Sequence, residues 1–391
     1  MKRISLKRVD IKKEYKSHMK FIHISDLHLG RRLYEYSLIE DQQHILHQVV
    51  AATKEHKTDG VLIAGDIYDK SIPSTEAMEL FDVFLQELRK CGQKIFIISG
   101  NHDSAERVSF GADFLKNSGI YISKAYDGKS TPVTLEDEHG QVNIYLIPFV
   151  KPAIVKRYHD EDNITDYNSA LEAVVAHMDV DKSKRNICMV HQFITGAIRS
   201  ESEEALLGGL DNVDYQVFDD FDYVALGHIH KPQAMGRKYV RYSGSPLKYS
   251  IDEANQRKTM TLVEFGEKGH TEISEIPFKP LHDVRRLEGT FLELTNRANY
   301  IDTAVDGYVS VTLKDEEDVP DAFRRLRVIY PNILKLDYNN KRSAKRQSVS
   351  SVSQIKEKTC LEYVMELYQL QNNVDISDEQ LKIVTKYWDN E

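Results

Sequence analysis

Six short runs constrain the fold of this chain more than any other feature: KFIHIS, GVLIAG, KIFIIS, VNIYLIP, NICMVH and YVALGH. Each is almost wholly apolar, as expected of strands buried on both faces. Amphipathic segments of helical spacing, 38–56 and 74–91, lie between the first three. Strands alternating with helices define an α/β layered domain. Nearly every run ends in Asp, His, Asn or Gly. Ligand sites of α/β sheets gather at strand carboxyl ends, so these polar ends are expected to converge.

The ends carry five motifs. They are SDLHLG with Asp26 and His28, GDIYD with Asp66 and Asp69, GNHD with Asn101, His102 and Asp103, VHQF with His191, and GHIH with His228 and His230. A lone His is more often a satisfied core or surface residue than a ligand. Five successive strand ends rich in metal-ligand types argue instead for a metal site. In extended chain, residues two apart share a face, so Asp26 should point with His28, and His228 with His230. Gly65, Gly100 and Gly227 are expected where backbone or ligand approaches too closely for a Cβ. Imidazole with carboxylate suits manganese, iron or zinc, and the lack of cysteine ligands argues against a structural zinc site. So many donors suit two divalent metal ions about 3.5–4 Å apart, an arrangement that serves phosphate-ester cleavage.

The order D-x-H, G-D-x-x-D, G-N-H-D, H, G-H-x-H across residues 26–230 resembles the calcineurin-like metallophosphoesterases. The resemblance implies a layered β-sandwich flanked by helices. It implies that Asp26, His28 and His230 hold one metal, that Asn101, His191 and His228 hold the other, and that Asp66 bridges them. It also implies that His102 faces the leaving oxygen and that Asp103 fixes its tautomer. Protein phosphatases carry Arg-Gly after the second aspartate of G-D-x-x-D, where this chain has Lys70 and Ser71. FDYVALGHIHKPQ and VRYSGSPLKYSIDE resemble the bacterial SbcD family of nuclease subunits, across roughly residues 19–280 and more loosely 281–340. Leu27 stands where that family commonly has tryptophan.

This second resemblance implies manganese (Mn2+) as cofactor. It also implies 3′-to-5′ exonuclease action on double-stranded DNA ends, and endonuclease action on single strands and hairpins, in DNA repair, replication and recombination. An SbcC-type ATPase with a long coiled coil is the implied partner, in a heterotetramer containing a dimer of the nuclease. Two other readings stay open: a phosphoesterase of small substrates, and a DNA-end-tethering protein that kept the fold without catalysis.

Around the nuclease domain, 19–280, the chain divides further. Residues 1–18 are basic and lack the apolar core of a secretory signal, so a disordered extension ahead of Met19 is expected, with a DNA-binding arm as the sharper alternative. Residues 281–340 read as a small α+β unit, with helices near 290–297 and 320–328 and strands GYVSVTL and ILKLDY. By the resemblance this unit caps the site and contacts DNA. A Ser- and Lys/Arg-rich linker, 341–354, precedes two amphipathic helices in 355–391, with Ser377 and Gln380 as a capping box; these suit docking to the ATPase. The three cysteines, Cys91, Cys188 and Cys360, form no framework, which points to a reducing, cytoplasmic setting; the DNA substrate implied by the resemblance makes a nucleoid-associated one the expectation. A net charge of −9 gives no global attraction to a polyanion, so attraction must be local.

Overall fold

The computed structural model describes residues 18–160, 162–203 and 212–340, together with Met365, Tyr368, Ile376, Ser377, Gln380 and Leu381. The extension 1–17, the linker and most of the C-terminal segment lie outside the described residues. Ser377 and Gln380 do form the capping box, with Gln380 N–H donating to Ser377 Oγ and Gln380 Oε1 accepting from Ser377 N–H at 3.0 Å.

All six apolar runs form strands. One six-stranded sheet is ordered Thr271–Pro277, Thr259–Phe265, Met19–Ile24, Gly60–Ala64, Lys94–Ile98, Ile120–Ile122. The other is ordered Gln233–Met235, Arg237–Tyr242, Tyr223–Gly227, Arg185–His191, Gly140–Ile147, Val133–Asp137. Alternation assigns each residue to a layer. Phe21, Leu62, Phe96, Met189 and Ala225 meet between the sheets. Their neighbours Ile22, Val61, Ile63, Ile95 and Ile97 face outward beneath the helices Ile39–Glu55 and Thr75–Lys90. Cys188, Val190, Val224 and Leu226 do the same on the second sheet, against the helix Tyr167–Ala176. Strands covered on both faces are why these runs lack a polar alternation, and each fully buried large side chain contributes ~1.5–3 kcal/mol.

Met19–Ile24, Gly60–Ala64 and Lys94–Ile98 are mutually parallel, as are Arg185–His191 and Tyr223–Gly227. Five carboxyl ends carrying the motifs are thereby delivered to one edge of the sandwich.

Beyond the sandwich, Val284–Gly289, Tyr308–Leu313 and Ile333–Tyr338 form a parallel three-stranded sheet with its own core, in which Phe291, Val309, Val311, Leu326 and Ile333 are buried. The helix near 290–297 is split into Phe291–Thr295 and Arg297–Tyr300, and Asn296 caps the second piece. The strand Val284–Gly289 was not anticipated; its alternating charged residues, VRRLEG, hide its β character. This unit is fastened to the sandwich by apolar packing, with Val284, Tyr308 and Leu334 joining the cluster of Ile22, Val61 and Ile95, and by polar contacts. Buried Asp41 accepts from His282 N–H at 3.0 Å and from Tyr308 OH at 3.0 Å. Lys248 pairs with Asp283 at 2.8 Å, and Arg286 Nε donates to Ile251 O at 3.1 Å. Among the described residues no helix is long and apolar enough to cross a membrane.

Candidate metal centre

Four strands stop at Ile24, Ala64, Ile98 and Gly227, and their site residues sit in the tight loops that follow, whereas His191 is the last residue of its own strand. Two of these loops are zipped together: Asp26 N–H donates to Gly65 O at 3.0 Å and His28 N–H to Asp66 O at 2.9 Å. The backbone is left-handed at Asp26 (φ 53°), His28 (φ 43°), Asp66 (φ 49°) and His228 (φ 106°). Such conformations cost a non-glycine residue on the order of 1–3 kcal/mol and persist at functional sites, where surrounding structure overdetermines them. Glycine works here through absence. A Cβ on Gly100 would lie 2.1 Å from Asp66 Oδ1, and one on Gly227 would lie 1.8 Å from Ala64 O.

All nine candidates come together around Asp66. Asp26, His28 and His230 offer ligand atoms within 4.8 Å of one another, as do Asp26, Asp66 and His191, and His28, Asp66 and His102. His28 Nε2 and His230 Nε2 are 3.1 Å apart. On the other side, Asn101 Oδ1 lies 3.0 Å from His191 Nε2 and 2.9 Å from His228 Nδ1. Asp66 Oδ2 stands between them, 3.3 Å from His191 Nε2 and 3.6 Å from His28 Nε2. His191 donates its other nitrogen, Nδ1–H, to Ala64 O at 2.8 Å, which leaves Nε2 for the site. The Asp26 carboxylate accepts from His228 N–H at 3.0 Å.

Two expectations need correction. His228 and His230 do not point together. His228 turns to Asn101 and His230 to His28, because the strand ends at Gly227 and the left-handed turn at His228 breaks the alternation. Nor does Asp103 hold the His102 ring. Its carboxylate accepts from the backbone N–H groups of Gly100, Ile67 and Tyr68 at 2.9, 3.1 and 3.0 Å. His102 Nδ1 lies 3.0 Å from Asp69 O and is therefore the protonated nitrogen, while His102 N–H donates to Asp66 Oδ1 at 2.9 Å.

Charge is concentrated and dry. Burial opposes ionisation of Asp66, but the charge and hydrogen bond of His191, then His28, hold its carboxyl well below the usual range. Burial pushes the Asp26 carboxyl up to about 7, with His191 opposing and Asp66 adding to the shift. Burial disfavours charged His191, yet Asp66 outweighs it and pushes that ring up to about 9. Burial and neighbouring His191 lower His228 to about 3. Anions packed so close, with paired imidazole nitrogens facing each other, fit bound cations better than they fit each other.

Several supporting residues carry no motif. Gln42, from the first helix, donates to His28 O at 2.8 Å and accepts from Gly30 N–H at 3.0 Å. Glu253 and Lys258 form a buried ion pair at 2.6 Å beside His230. The acidic residue ending SIDE was visible in the sequence, but nothing there tied it to a histidine more than twenty positions earlier.

A β-sandwich with this centre at its strand ends is a phosphoesterase scaffold, and residues 19–232 match the Calcineurin-like phosphoesterase family. The chain belongs to that family. Within it the chain belongs with the SbcD nuclease subunits: it is 36% identical, over 81% of its length and 84% of the relative's, to the SbcD subunit of the nuclease SbcCD of Staphylococcus saprophyticus. Residues 280–372 match the Type 5 capsule protein repressor C-terminal domain. Among solved structures, a dimetal phosphatase from Danio rerio is 12% identical, covering 66% of this chain and 95% of that one at a TM-score of 0.38.

Proposed function

We propose that this chain is the manganese-dependent DNA nuclease subunit of an SbcC–SbcD type complex. In this reading it acts as a 3′-to-5′ exonuclease on duplex ends and as an endonuclease on single strands and hairpins, in DNA repair, replication and recombination in the cytoplasm. The observation that carries it is the pair of donor clusters sharing Asp66 with His102 beside them. Asp26, His28 and His230 would hold one ion, Asn101, His191 and His228 the other, and Asp66 both. Two divalent cations there supply Lewis-acid polarisation of the scissile phosphate and lower the pKa of the attacking water.

The chain's own groups do the rest. With Nδ1–H committed to Asp69 O, Nε2 is the nitrogen left toward the leaving oxygen, and His102 would give a proton there from its imidazolium form, in which both ring nitrogens carry hydrogen. Asp103 positions that histidine indirectly, by binding the backbone of residues 67–68 and 100. A groove of about 480 Å³ between the 32–34 hairpin and the three-stranded sheet is lined by Arg32, Arg286 and Lys335 together with Glu201 and Asp337, the last paired with Lys335 at 2.9 Å. The two arginines, not paired with Asp337, are the support this groove lends to residues 281–340 as a capping, DNA-contacting unit. Exposed Phe110 and Phe114 support self-association into the dimer of a heterotetramer.

The test is labelled duplex and hairpin DNA with purified protein, with Mn2+ or with chelator, beside a small phosphomonoester. Mn2+-dependent DNA cleavage is expected. Phosphomonoester hydrolysis without DNA cleavage overturns the nuclease reading. Truncation after Ser353 is expected to keep cleavage of short DNA and to lose co-purification with the coiled-coil ATPase; loss of cleavage by the isolated truncated chain overturns the docking role of 355–391.

A further inference from the structure

His230 is gripped at three points by groups outside every motif. Its N–H donates to Glu203 Oε1 at 2.6 Å, its carbonyl accepts from Lys258 Nζ at 2.9 Å, and its ring Nδ1 lies 2.6 Å from Ser202 Oγ. Ser202 Oγ also contacts Glu253 Oε1, which itself lies 3.5 Å from His230 Nδ1, and that carboxylate is fully buried. Glu253 accepts in addition from Tyr249 N–H at 3.3 Å and Ser250 Oγ at 3.1 Å, and its charge is balanced by Lys258 at 2.6 Å.

A proton count fixes the direction of this chain. An ionised carboxylate only accepts, and a serine hydroxyl has one proton to give. Ser202 gives that proton to Glu253, so toward His230 it presents only a lone pair. His230 Nδ1 is then the N–H donor, and Nε2 is left bare, 3.1 Å from His28 Nε2 and facing the cluster. Removing the acceptor oxygen that takes the Ser202 proton would remove the preference for that tautomer.

We infer that Glu253 and Lys258 are positioning residues that set, through the Ser202 hydroxyl, the tautomer and aim of His230. The metal consequence rests on the two-ion reading above; the tautomer itself does not. Groups of this kind, behind a ligating histidine, typically change metal affinity 10–100-fold when lost.

The experiment uses the full chain in two states. In chelator-treated protein, ring-nitrogen chemical shifts are expected to show His230 as the Nδ1–H tautomer, and Ser202→Ala to convert it to a mixture. A wild-type Nε2–H tautomer, or no change in Ser202→Ala, overturns the inference whatever the ions do. In Mn2+ titration calorimetry, Glu253→Ala is expected to weaken one of two sites about 10–100-fold. Glu253→Gln, which keeps an acceptor oxygen for Ser202, should recover part of that loss. Equal weakening of both sites, or identical losses in Gln and Ala variants, overturns it as mere loosening of the loop. Should Glu253→Ala fail to fold, Ser202→Ala decides alone, since it leaves the buried ion pair intact: unchanged Mn2+ affinity overturns the relay. If wild type shows the tautomer yet binds no Mn2+, the two-ion reading falls and only the metal consequence goes with it.

Discussion

Around Asp26, His28 and His230 the donors are two imidazoles and a carboxylate, and a buried Glu253–Lys258 pair stands behind them. Around Asn101, His191 and His228 the central oxygen is a neutral amide, and the backing of His191 is a backbone carbonyl, Ala64 O. Asp66 is common to both. The first half therefore brings a carboxylate of its own where the second brings none, and its support is ionic where the other's is backbone. An ion in the first half should be held more tightly, while one in the second keeps more of its charge for the substrate.

Removing the shared member is the largest break. Asp66→Ala is expected to lower bound Mn2+ from two ions per chain toward none, and to cut cleavage by more than the ~10²–10⁴-fold typical of one positioned acid–base group. Elemental analysis of desalted protein beside a nuclease assay measures both. Retention of two ions would show that Asp66 bridges nothing.

Next come two residues two positions apart, on either side of Ile229. His230→Ala should lose the ion of the first half and His228→Ala that of the second, each retaining about one Mn2+ per chain. Loss of both ions in each variant would erase the division between the halves. A third substitution should lose no ion. His102→Leu is expected to keep near-normal metal content while the rate falls ~10²–10⁴-fold. Metal loss equal to that of Asp66→Ala would make His102 a ligand rather than an acid.

The smallest effect is a shift with pH. In the metal-free chain His191 is raised from 6.5 to about 9, so its stabilising contribution is complete below 6.5 and lost as pH rises through about 9. His228, lowered to about 3, is neutral both folded and unfolded above pH 7 and adds nothing there. Metal binding needs a deprotonated His191, so Mn2+ binds with release of a proton and more tightly as pH rises. The difference in melting temperature between loaded and metal-free protein should widen from pH 7 to pH 9. A constant gap would mean that His191 carries no proton in the empty centre.

Much of this was legible in the sequence because burial on both faces leaves a plain mark. KIFIIS, NICMVH and YVALGH could hardly be anything but central strands, and the residues ending them had to meet. Their aim was harder to read. Alternation holds within a strand, but Asp26, His28, Asp66 and His228 lie past strand ends in left-handed turns that no periodicity encodes. The role expected of Asp103 failed similarly, since two of its three backbone partners, Ile67 and Tyr68, come from the loop after a different strand. Ser202, Glu253 and Lys258 act from loops far from any motif, and a lone Ser or Glu looks like any surface residue until the fold buries it. Most of 341–391 lies outside the described residues, so its docking role rests on sequence alone.

The pairing of His28 with His230 closes a span of 202 residues, and the grip on His230 needs Lys258 as well. Contacts so far apart along the chain form late, because the loop between them must be closed before it is rewarded. During synthesis the cluster of Asp26, His28 and His230 cannot assemble until His230 has left the ribosome. A nascent or broken chain ending before His228 has at most the first four motifs and neither cluster complete. For a protein that would cut phosphodiesters, the distance built into its topology is a safeguard: no blade forms before both ends of that span are made.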